Sequence, residues 1–146
     1  MKKFIFRLDQ VLKIRALEER IQQKEFSKVK SQHLNAVKNL ENIYIDRKET
    51  VESLKNQERK GFNQTIYLSH MRYIEKLNLD VDIQRINIGK IEIELKKERE
   101  KLLNIIKKRK SLENLKEKKY EEYLYETNAE EQKVMDEIAG SRYLVQ

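Results

Sequence analysis

The chain has 146 residues, 38% hydrophobic and 39% charged, a ratio too lean for a thick globular core and suited to a thin seam between helices. The 32 basic and 25 acidic residues leave a net charge of +7, which favours acidic partners without naming one. Zero cysteines exclude disulfides and thiolate metal sites, and zero prolines leave nothing to kink a long helix. Ala, Glu, Lys, Leu and Arg supply 72 residues, about half the chain, the compositional mark of a coiled coil.

The N-terminal run Met1-Lys2-Lys3-Phe4-Ile5-Phe6 starts like a secretion signal, but Arg7 and Asp9 interrupt it before an apolar core of about seven residues accumulates. No stretch reaches the roughly 18 apolar residues of a membrane span, so a cytoplasmic location is expected. A first helix is predicted from about residue 8 to 59, with Asp9 in a first turn that favours a carboxylate. Its apolar face opens with Leu8, Val11, Leu12 and Ala16. It thins before Asn35, where Phe26 is the one large member among Glu19, Gln23, Lys30 and His33, and it recovers at Val37, Leu40, Tyr44, Val51 and Leu54. From Arg59 to Thr65, glycine, asparagine and threonine supply a helix end, turn chemistry and a new N-cap, which places a loop over 60–66.

The second helix, predicted over about 67–140, carries the strongest pattern in the chain. Steps of three and four visit twelve positions from Ile74 to Leu112, and nine are aliphatic: Ile74, Leu77, Val81, Ile88, Ile91, Leu95, Leu102, Ile105 and Leu112. The exceptions are Gln84, Glu98 and Arg109. A mean step of 3.5 residues is the heptad period, which keeps one seam turned toward a partner helix.

If the chain turns back at the loop, opposed positions sum to about 128. Glu19 then meets Arg109, Lys30 meets Glu98 and Tyr44 meets Gln84, so the polar interruptions coincide and fix register. The expected fold is all-α: two long helices in an antiparallel coiled-coil hairpin, one domain over 1–146, with the second helix the longer at ~110 Å against ~75 Å. A parallel pair of single long helices would use the same heptads, but it would stack Arg109 on Arg109 and Glu98 on Glu98. Near Leu112 the stripe is expected to change phase toward Leu115, Tyr120, Leu124, Val134 and Ile138. Some twenty residues then project past the start of helix one, with Tyr123 and Tyr125 among their uncovered apolar groups.

Enzymatic chemistry finds no foothold. His33 and His70 lack the spacing of a zinc site, the three glycines are isolated rather than gathered in a phosphate loop, and the carboxylates alternate with lysine as on a solvated helix face. No metal or cofactor is expected. The run Lys107-Lys108-Arg109-Lys110 points all round a helix axis instead of tracking phosphates, so nucleic acid is not an expected partner. Gly89 sits inside the best heptads without a capping role. Near the loop Phe62, Ile66, Tyr67 and Tyr73 either close the hairpin or are read by a partner.

These features resemble the FliJ family of flagellar type III export proteins. At the start, Phe6-Arg7-Leu8-Asp9-Gln10-Val11-Leu12-Lys13-Ile14-Arg15 with Glu18 is similar to the family's opening pattern. Gly61, Tyr67 and Met71-Arg72-Tyr73-Ile74-Glu75-Lys76-Leu77 match its turn and second-helix start. Arg109-Lys110 with Glu113 and Leu115, then Glu131 through Ala139 and Arg142, resemble its closing signature. The resemblance implies a non-enzymatic stalk of the export ATPase, similar in shape to the γ subunit of rotary ATPases, peripheral to the membrane through its partners. Those partners are the hexameric export ATPase and the cytoplasmic domain of the export gate FlhA, with export chaperones as further candidates. Carried over by position, the ring-facing residues are Phe6, Leu8, Val11, Leu12, Arg15, Gln132, Asp136, Glu137 and Arg142. The gate-facing ones are Tyr73, Leu77 and Gln84, with Ile43 and Thr50 on helix one, where Thr50 stands in place of an aromatic. Two other readings compete: an export chaperone or escort holding clients through the apolar overhang, and a basic coiled-coil scaffold for nucleic acid.

Overall fold

The computed structural model describes residues 2–61 and 63–145, without the side chains of 144 and 145, so Phe62 at the turn lies outside the described residues. Two helices account for nearly all of it: α1, Asp9–Lys60, and α2, Gln64–Val145. The fold is an all-α helical hairpin, with no strand among the described residues.

Local chemistry sets the helix ends. At the start of α1 the Asp9 amide donates to the Phe6 carbonyl at 3.2 Å, and the Asp9 carboxylate lies in the first turn, where the helix dipole favours it. Arg59 and Lys60 complement the last turn, and Gly61 closes it with φ of 129° while its amide reaches the Gln57 carbonyl at 3.2 Å. Asn63 then caps α2: its Oδ1 accepts from the amides of Thr65 at 3.1 Å and Ile66 at 3.5 Å. The connection is therefore 61–63, tighter than the expected 60–66, because Asn63 supplies the cap and the helix resumes at Gln64.

That tighter turn shifts the register. Opposed residues sum to 125, as in His33 with Glu92, Arg47 with Asn78, and Asp9 with Lys116, rather than to 128. Two of the three expected polar pairs are consequently replaced. Glu98 is taken by Gln22, which donates to both its carboxylate and its backbone carbonyl, and Lys30 is exposed. Gln84 donates to the Ala36 carbonyl at 2.9 Å, while Tyr44 accepts from Arg85 at 3.0 Å. The third pair forms as expected, with Arg109 Nε donating to Glu19, because two long side chains bridge the one-turn offset diagonally.

The chain divides into two compact units. In the unit Gln22–Leu102, the seam buries Val29, Ala36 and Leu54 of α1 and Leu77 and Val81 of α2, and these five are the buried hydrophobic residues described. The seam of α1 thus runs through Gln22 and Val29, with Val29 only 3% exposed, and not through Gln23 and Lys30. In the unit formed by Met1–Ile21 and Leu103–Gln146, the inward positions of α2 continue through Leu112, Lys116, Tyr123 and Thr127. The expected phase change to Leu115 does not occur, because Lys116 keeps the inward position by donating to Asp9 at 3.0 Å.

Candidate functional site

In the unit containing both chain ends, residues 2–8 form a non-helical strap laid against α2. Phe4 anchors it, with ring centroids 5.2 Å from Tyr120 and 5.5 Å from Tyr123, and the Tyr123 hydroxyl donates to the Lys2 carbonyl. The sequence placed Tyr120 and Tyr123 among uncovered projecting residues, but the strap engages both rings. The only sequence signal for this clamp was a phenylalanine near the start and two tyrosines one helical turn apart, which no periodicity links.

Between strap and helix lies a cleft of about 880 Å³, with Phe6, Leu8 and Leu115 on its walls and Lys3, Arg7 and Lys119 around it. Of the ring-facing candidates, Phe6 and Leu8 thus share one cleft. Val11 and Leu12 are half-buried on the first turns of α1, and Arg15 is held by Glu18 at 3.0 Å. Gln132 donates to Asp136 at 3.2 Å within one turn of α2, and Asp136, Glu137 and Arg142 are exposed. No hydrogen bond or ion pair among the described residues joins the 6–15 group to the 132–142 group. Residues 128–143 are exposed on every side of the helix, Val134, Met135 and Ile138 included.

The gate-facing candidates fall in the other unit. Thr50 and Tyr73 line one shallow groove with Asp46, Glu49, Ser53, Ser69 and His70. Thr50 donates to the Asp46 backbone carbonyl at 2.8 Å, and the Tyr73 hydroxyl donates to the Asp46 carboxylate. That hydrogen bond to Asp46, with partial burial and the nearby negative charges of Asp46 and Asp80, holds the phenol above the ordinary tyrosine range. Lys76 sits 5.8 Å from the Tyr73 ring centre. Leu77, one helical turn beyond Tyr73, is 4% exposed, Gln84 is half-buried on the Ala36 carbonyl, and Ile43 is half-buried. The acidic residues beside Tyr73 are a part of the site that sequence reasoning missed.

His33 is 3.3 Å from Glu92, and His70 Nδ1 donates to the Ile66 carbonyl at 2.9 Å. Among the described residues no group of three His, Cys, Asp or Glu side chains is arranged to hold a metal, and no helix is long and apolar enough to cross a membrane. The site offers apolar and charged docking surface, carried on rigid helices and a clamped strap. No curated protein and no solved structure matches the chain. The family model described as flagellar FliJ protein matches residues 3–146, taking in nearly all of the strap, both helices and the exposed end of α2, and the chain belongs to that family.

Proposed function

We propose that this chain, a non-catalytic component of flagellar type III export by its family, is the stalk that binds the export ATPase, promotes assembly of its hexameric ring and links it to the cytoplasmic domain of the gate FlhA. The observation that carries the reading is the uncovered helix 128–143, whose Val134, Met135 and Ile138 are exposed, in the same unit as a strap that gathers Phe6 and Leu8 in a cleft with Lys3, Arg7, Lys119, Glu122 and Glu126. A second protein covering that helix would bury aliphatic surface at little entropic cost, since the helix is already formed. The groove at Thr50 and Tyr73 is the corresponding candidate for the gate, with the buried Leu77 one helical turn along α2. In this role the protein works in the cytoplasm, at the inner face of the membrane through its partners. It changes turnover by favouring one state of the ring through differential contacts, with no bond made or broken on the stalk.

The test is addition of the purified protein to the cognate ATPase. Turnover is expected to rise with stoichiometry, and Ile138→Asp or Val11→Asp should abolish the rise while helicity is retained. No stimulation at any ratio refutes the reading. Suppression of client aggregation in the absence of the ATPase would instead favour the escort function, which would draw on the same uncovered helix.

A further inference from the structure

The second helix carries an apolar stripe that the hairpin does not use. Leu79, Ile83, Ile86 and Ile93 are 62–64% exposed, all within the unit Gln22–Leu102, and they recur at steps of four, three and seven along the side of α2 opposite Leu77 and Val81. The missing heptad position is Lys90, whose stem is apolar. A stripe at this period fits another helix, because the 3.5-residue step keeps facing a supercoiled partner. None of the ring-facing or gate-facing candidates belongs to it.

We propose that this stripe pairs antiparallel with the same stripe of a second copy, about a two-fold axis at Gly89. Three observations select that occupant. Gly89 lies mid-helix, where glycine weakens a helix, yet a Cβ built there meets nothing within 4 Å, so α1 does not require its absence. A second backbone crossing at that point does, since only glycine lets two chains approach without side chains between them. The charges beside it are self-complementary in the antiparallel sense: Asp82 and Lys96 stand seven residues to either side of Gly89 on its edge of the stripe, so the axis sets each Asp82 against Lys96 of the other copy, twice. A parallel pair would instead bring Glu75 toward Asp80 and Lys96 toward Lys101, like against like. The area is also adequate, because the four aliphatic side chains expose roughly 400–500 Å² per copy. With the stems of Lys90 and Lys97 the two copies together exceed the ~1,000 Å² at which specific interfaces begin. On the opposite edge Asp80 approaches Glu94 of the other copy, an unfavourable charge pair that the axis likewise repeats twice.

Sedimentation equilibrium of the full chain tests this directly. A reversible dimer is expected, weakened at least about tenfold by Ile86→Asp with unchanged helicity. Lys96→Glu should weaken it, Asp82→Lys added to Lys96→Glu should restore it, and Glu94→Lys should tighten it. Because the chain has no cysteine, Asn87→Cys, which faces its own copy across the axis on the edge that carries Asp80 and Glu94, introduces a single thiol that a short thiol–thiol cross-linker should join into a covalent dimer, while Lys38→Cys on α1 should not cross-link. A monomer at every concentration overturns the proposal, even if a helical segment of another protein binds the stripe. So does a dimer that survives Ile86→Asp and fails to cross-link through Asn87→Cys.

Discussion

Val29 and Lys30 are neighbours on α1, and only one can belong to the seam, so paired alanine substitutions decide the register of the hairpin. Val29 is 3% exposed and Lys30 is exposed. Val29→Ala removes two methyl groups from that seam, at about 0.8 kcal/mol each, and a two-helix interface open at its edges relaxes into much of the space, so the expected loss is about 1.5–2 kcal/mol. Lys30→Ala removes an exposed side chain from a helix that tolerates alanine well, and should change stability by no more than about 0.5 kcal/mol. The assay is urea unfolding followed by far-ultraviolet circular dichroism, at one low protein concentration so that self-association adds the same small increment to every variant. The slope should be shared, with only the midpoint moving. A Lys30→Ala loss equal to or greater than the Val29→Ala loss would refute the register in which opposed positions sum to 125.

Asn63→Ala should cost about 1 kcal/mol by removing the side chain that caps α2, whereas Thr65→Ala, one position beyond the start of the helix, should be near neutral in the same unfolding assay. Gly89→Ala should stabilise the monomer by about 1 kcal/mol, because the new methyl meets open space and removes the backbone entropy of glycine. Glu98, held down first by the hydrogen bond from Gln22, and Asp9, held down first by Lys116, both ionise below the ordinary carboxylate range. Their contribution is present above the unfolded-state carboxylate pKa and lost as pH falls through the lower folded-state values, so Gln22→Ala should shrink the acid-side loss measured by unfolding at graded pH. Tyr73 has the opposite sign: its raised pKa favours the neutral phenol, with stability complete below the unfolded tyrosine value and lost as pH rises through the folded one. Ultraviolet titration should show a late-ionising tyrosine that Asp46→Asn moves back toward the ordinary range.

How much of this was legible in the sequence depended on side-chain density. The α2 stripe from Ile74 to Leu112 was readable because nine aliphatic residues leave one possible face. In the thin stretch of α1, Phe26 is the single large anchor, and two paths leave it with the same mean step, one through Gln23 and Lys30, the other through Gln22 and Val29. The valine selects the second, since burying a lysine there would strand its charge while burying Val29 removes apolar surface from water. The loop residues were recognised, but which one capped the second helix was not, and that choice between neighbouring polar residues moved the register by three positions. At the candidate site, the uncovered end of α2 followed from its apolar residues outrunning α1. The strap did not, because a contact between Phe4 and the pair Tyr120 and Tyr123 joins segments with no shared period. The outer stripe from Leu79 to Ile93 was not legible, being little more than a third the length of the inner one and interrupted by Lys90.

An aliphatic heptad seam is nearly degenerate: sliding α2 past α1 by seven residues again sets aliphatic positions against aliphatic positions. The polar interruptions remove that degeneracy. A seven-residue slide separates Arg109 from Glu19, Glu98 from Gln22 and Lys116 from Asp9, leaving half-buried groups without partners in the seam. These contacts need not add much net stability to specify one alignment, because the cost falls on the slipped states and not on the native one. In the stalk role proposed above, that asymmetry matters because helices that slid under load would dissipate the bias they carry. Ion pairs pin the register in one unit and Gln22–Glu98 pins it in the other, so each unit is held to a single alignment.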